Sequence, residues 1–137
     1  MKSLLNRAVA RIVDSRRLRC GLIALTIGLV IELFWLGAQP IAVGLFQAPW
    51  DKVAHFVTYG GLAMILSLGF GLRRPWWVLG LTLTVALADE LFQLRLPGRQ
   101  PDVLDWLADA AAAASVVLFT TVLMRRIRHQ PVPTERR

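Results

Sequence analysis

Four apolar stretches, each close to the length needed to cross a bilayer, constrain this chain more than any other feature. A hydrocarbon core about 30 Å thick takes roughly 20 helical residues to span. The stretches run over about 20–38, 53–72, 76–96 and 103–124. Glu32 alone interrupts the first, and His55, Thr58 and Tyr59 sit near the start of the second. The third is apolar from Trp76 to Ala88 and then turns polar at Asp89, Glu90 and Gln93. The fourth carries Asp105 and Asp109 in its first two turns, followed by Ala110 to Ala114. The expected fold is all-α: an integral membrane four-helix bundle preceded by a short amphipathic basic helix.

Composition supports a membrane setting. The chain is 55% hydrophobic with mean hydropathy +0.53. A net charge of +7 would by itself suit nucleic acid, but the arginines gather at the ends of the apolar runs, so no nucleic-acid partner is expected. Cys20 is the sole cysteine, which leaves neither an internal disulfide nor a zinc finger.

Thirteen of the sixteen Lys and Arg residues lie before the first span, at Arg73 and Arg74, or after the fourth. Only Lys52, Arg95 and Arg99 occupy the other two loops. The positive-inside rule therefore puts both termini and the Arg73–Arg74 turn in the cytoplasm and the loops at 39–52 and 95–102 outside. All five tryptophans fall at the expected interfaces, Trp35, Trp50 and Trp106 outside, Trp76 and Trp77 inside. Residues 1–19 pair an apolar face of Leu4, Leu5, Ala8, Val9, Ile12 and Val13 with arginines, as an interfacial helix does. A cleaved signal peptide fits less well, because Glu32 interrupts its apolar region and no A-x-A site follows. Residues 125–137 form a basic cytoplasmic tail.

Ionisable groups inside a membrane cost on the order of 2.5 to 3.5 kcal/mol each, so their placement is informative. Asp51, His55 and Tyr59 are spaced i, i+4, i+8; Glu90 and Gln93 i, i+3; Asp102, Asp105 and Asp109 i, i+3, i+7. Each set forms a stripe on one helix face, and each lies at the outer end of its span. Turned inward, the stripes would make an outward-facing acidic cavity in which Lys52, Arg99 and His55 face up to six carboxylates.

Those residues also carry a family pattern. Asp51-Lys52-Val53-Ala54-His55-Phe56-Val57-Thr58-Tyr59, then Glu90-Leu91-Phe92-Gln93, then Gly98-Arg99 and Asp105-Trp106-Leu107-Ala108-Asp109 resemble the VanZ-like family of small bacterial membrane proteins. The resemblance covers about residues 50–115 and implies signature positions at Asp51, Lys52, His55, Glu90, Gln93, Arg99, Asp105 and Asp109. Asp109 stands where many members carry Asn, and alanines from Ala110 stand where a Gly pair is common. The family name derives from a member associated with teicoplanin resistance, which implies an envelope role without defining a reaction.

The candidate site is thus Asp51, Lys52, His55, Tyr59, Glu90, Gln93, Arg99, Asp102, Asp105 and Asp109. In the plainest reading Asp51 caps its helix, Arg99 forks onto a carboxylate, Gln93 bonds to a neighbouring helix, and Glu32 partners Lys52 or Arg99. In the functional reading the cavity binds or acts on an envelope lipid or a glycopeptide-related ligand, with His55 paired to a carboxylate across the bundle. A lipid-linked hydrolase or transferase and a small proton-coupled transporter, the latter as a homo-oligomer, are the alternatives. No nucleophile stands out, since Ser67 and Ser115 lie off the stripes and Cys20 is at the cytoplasmic end, so catalysis stays open. No organic cofactor is expected; a divalent metal on His55, Glu90, Asp105 and Asp109 is chemically open.

Overall fold

The computed structural model describes residues 15–128. They form four helices: α1 (Arg16–Gly37), α2 (Trp50–Gly69), α3 (Pro75–Gln93) and α4 (Val103–Arg128), with one 3-10 turn at Pro40–Ala42 and, among the described residues, no strand. The segment expected as an interfacial basic helix lies outside the described residues up to position 14, and so do residues 129–137 of the tail. Helix α1 begins at Arg16, and α4 carries Arg125, Arg126 and Arg128 within its last turn.

Local chemistry accounts for the boundaries. Ser15 caps α1, its hydroxyl accepting from the Leu18 N–H at 3.4 Å. Pro75 opens α3 at a position where a missing N–H costs nothing. Asp102 caps α4, its Oδ1 accepting from the Leu104 N–H at 2.8 Å. Asp51 does not cap α2: the capping position is Pro49, without a side-chain bond, and Asp51 sits inside the first turn. There it bonds the Lys52 N–H at 2.8 Å and favours the positive end of the helix dipole.

At 1.5 Å per residue the helices are about 28 to 39 Å long. Helices α1, α3 and α4 are apolar and long enough to cross a membrane. Helix α2 matches them in length, and its polar opening turns are what set it apart. It is the central helix, packed on α1, α3 and most extensively α4. Glycines lie at its contacts with α4 and α1, and the one facing α1 is the tighter. A Cβ on Gly60 would meet Ala112 Cβ at 3.5 Å, and one on Gly69 would meet Ile23 Cγ1 at 2.9 Å. Ala112 and Ala113 of the alanine run are fully buried against α2, as expected where backbones draw close in a membrane.

The core has two layers. Ala63, Leu66, Val78, Ala113 and Val117 fill the end near the Arg73–Arg74 turn. Tyr59, Leu62 and Ala86 fill the layer above, backed by Leu29, Val30, Leu33, Val85 and Trp106. Trp35, Trp50, Trp76 and Trp77 are exposed, as interfacial anchors would be. Trp106 instead packs inward. Helix α1 is peripheral: Thr26 is its one buried residue, and Leu25, Ile27 and Ile31 are exposed. The two loops at the polar end meet through Gly98. Its φ of +77° suits glycine, and a Cβ there would crowd Val43 at 3.3 Å.

Candidate functional site

Lys52 and His55 on α2 face Asp102, Asp105 and Asp109 at the start of α4, because both sets advance by one helical turn per step. Lys52 Nζ lies 2.9 Å from Asp51 Oδ2, 2.5 Å from Asp102 Oδ2 and 2.6 Å from Asp105 Oδ1. One turn deeper, His55 Nδ1 is 3.1 Å and 3.3 Å from the two oxygens of Asp109, and Nε2 is 3.8 Å from Asp105 Oδ2. The result is an ion ladder joining α2 to α4, with its rungs increasingly buried. The Lys52 side chain is a quarter exposed, and Asp109 is fully enclosed.

Helix α3 closes the third side. Tyr59 donates its hydroxyl to Asp89 Oδ2 at 3.1 Å, and its ring stacks on His55 with centroids 6.0 Å apart. Gln93 Nε2 donates to the same Asp89 oxygen at 3.4 Å, one turn along its own helix. Glu90 Oε2 accepts the Asp102 N–H at 2.9 Å, which pins the end of α3 to the start of α4. Outside the spans, Lys52 beside Asp102 holds that carboxyl below its ordinary range.

Three expected partnerships are replaced by others. Arg99 does not fork onto a carboxylate: its Nη2 donates to the Gly37 carbonyl at the end of α1, 3.4 Å away, where a cation also meets the negative end of the helix dipole. Gln93 bonds within α3 and not to a neighbouring helix. Glu32 lies exposed on α1, and Lys52 is occupied by Asp51, Asp102 and Asp105 instead. Asp89, counted among the cavity carboxylates but not among the named site residues, is the acceptor that joins Tyr59 and Gln93.

Beside the ladder lies a cavity of about 380 Å³, within the range of small-molecule sites. Its polar wall includes His55, Tyr59, Asp89, Gln93 and Arg99; its apolar wall comes from Leu33 and Leu36 of α1 and from Leu45 and Phe46 of the following loop. No position in the apolar wall belongs to a polar stripe, so helical spacing did not point to it. Behind the polar wall, ligand atoms of His55, Glu90 and Asp109, one residue from each of α2, α3 and α4, lie within 4.8 Å of one another.

A helical bundle of mostly bilayer-length apolar helices, with a charged network that runs from the surface into the core at one end, is a multi-pass integral membrane protein. The family model described as VanZ/LLP1 matches residues 8–124, and the chain belongs to that VanZ-like family. No curated protein and no solved structure matches it.

Proposed function

We propose that this VanZ-like protein lies in the bacterial inner membrane with both termini in the cytoplasm, and that its cavity opens outward to bind an envelope component bearing a polar head on an apolar chain. The observation that carries this reading is the division of the cavity wall. Leu33, Leu36, Leu45 and Phe46 offer an apolar chain a surface to bury against, and the opposite wall presents Gln93 and Arg99 to a head group. Arg99 Nε is buried without a hydrogen-bond partner among the described residues, so a ligand oxygen there would satisfy a donor that otherwise carries a desolvation cost. The basic residues at the opposite end of the bundle support the orientation. Teicoplanin resistance, which the family association suggests, fits a change in an envelope component handled at the outer leaflet.

A second reading, a hydrolase or transferase on the same lipid-linked class, is favoured by His55. Asp109 holds its Nδ1 while Nε2 points toward Asp105, the arrangement of an oriented acid or base.

Complementation tests the site. Arg99→Ala and Leu36→Trp, expressed at wild-type abundance in a deletion strain, are expected to leave its envelope and glycopeptide-susceptibility phenotypes uncorrected. Full correction by both would set the cavity aside.

A further inference from the structure

Asp109 is fully buried and Glu90 is 6% exposed, yet the hydrogen bonds these two carboxylates receive are few. Among the described residues Asp109 bonds to His55, and Glu90 uses Oε2 for the Asp102 N–H while Oε1 is enclosed with no hydrogen-bond partner. Lys52, the nearest permanent cation on α2, is engaged by three other carboxylates. A carboxylate oxygen sealed away without a partner is costly enough that a native bundle should supply one.

We propose that His55, Glu90 and Asp109 form a binding site for a divalent first-row transition ion. The three ligand atoms come from α2, α3 and α4 and lie within 4.8 Å of one another. Around an ion with bonds of about 2.1 Å, adjacent ligands stand about 3.0 to 3.4 Å apart. His55 Nδ1 and Asp109 Oδ1, 3.1 Å apart, already have that separation. Glu90, whose Oε1 is buried without a hydrogen-bond partner among the described residues, completes the set within the 4.8 Å that bounds the three ligand atoms.

Charge also favours the ion. Two carboxylates and a neutral imidazole around a divalent ion sum to zero, the state least penalised by a low-dielectric surround. Binding displaces any proton on Nδ1, and the ion takes the place of the His55–Asp109 hydrogen bond. One nitrogen and two oxygens, with no thiolate, suit zinc or manganese. The lone Cys20 is exposed on α1 and belongs to no such cluster. His55 is the one of the three that also lines the cavity. The ion site is independent of which molecule fills the cavity, and either can fail alone.

The test uses the full chain, carrying no histidine tag, in lipid nanodiscs. After stripping with chelator, it is equilibrated with Zn2+ or Mn2+ and the metal per chain is measured by mass spectrometry. Wild type and the control Glu32→Gln, at an exposed position on α1, are expected to retain one ion per chain. Glu90→Gln and Asp109→Asn are expected to bind at least about tenfold more weakly. Metal in wild type no higher than in Glu90→Gln, or undiminished in both variants, overturns the site. Should the carboxylate variants not fold, Co2+ decides: a protein-bound spectrum in wild type and a thiolate charge-transfer band in His55→Cys are expected, and the spectrum of the aqueous ion in both refutes the proposal.

Discussion

Tyr59 on α2 donates its hydroxyl to Asp89 on α3 across 3.1 Å, with both residues buried. Tyr59→Phe keeps the ring and its stacking on His55 but leaves Asp89 with only the longer bond from Gln93, 3.4 Å. A loss of about 1 kcal/mol is expected. Equilibrium unfolding in mixed micelles checks it, and an unchanged midpoint would show that Asp89 gains little from the tyrosine.

Close packing of α2 gives a graded pair of glycine substitutions. Gly60→Ala places its methyl at ordinary contact distance from Ala112 and is expected to be nearly neutral. Gly69→Ala drives a methyl against Ile23 Cγ1 at 2.9 Å and is expected to lose about 1 to 3 kcal/mol, as overpacking does. Adding Ile23→Ala to Gly69→Ala should recover part of the loss. Equal stabilities of the two alanine variants would contradict the asymmetry.

Asp102 predicts how the polar end responds to acid. Its pKa is lowered below the ordinary 3.8, chiefly by the hydrogen bond from Lys52 and then by the Leu104 N–H it caps. A carboxyl with a depressed folded-state pKa contributes stability above its unfolded value and loses it as pH falls through the folded one. The wild type is therefore expected to lose stability below about pH 3.8, and Asp102→Asn should be less stable at neutral pH and show a flatter acid limb. Thermal melts across that range distinguish the two profiles.

Orientation can be read by thiol labelling. In a Cys20→Ser background, Gln100→Cys sits in the exposed loop at the polar end and Arg74→Cys in the opposite turn. A membrane-impermeant maleimide added to intact spheroplasts is expected to label position 100 and not 74. The reverse pattern would invert the proposed topology and put the cavity on the cytoplasmic side.

Helical spacing places His55 on one inward stripe and Asp102, Asp105 and Asp109 on another, because their costs in lipid force them inward, but it does not pair Lys52 with Asp102 and Asp105, since Lys52 lies off the Asp51–His55–Tyr59 stripe and Glu32 is its expected partner. The four-helix bundle was legible for a similar reason, since bilayer thickness sets the length of each apolar run. What spacing cannot show is which of several nearby groups a long side chain will choose. Arg99 was expected on a carboxylate and reaches the α1 carbonyl of Gly37; Gln93 bonds back along its own helix to Asp89. Glu32 carries the same charge as the ladder acids but lies on the face of α1 turned away from the bundle, and that rotation is a packing outcome. The apolar wall of the cavity depends on a loop that folds over the bundle end, where no periodicity operates.

Lipids retained by the purified protein test the cavity most directly. The wild type, Leu36→Trp and Arg99→Ala are extracted into nanodiscs from the same membranes, and bound species are identified by native mass spectrometry. A lipid-linked envelope component enriched over bulk phospholipid in wild type, and reduced in both variants, is the predicted result. Identical lipid profiles in all three, with the variants folded and monodisperse, would contradict a cavity that binds an apolar chain through Leu36 and its head group through Arg99.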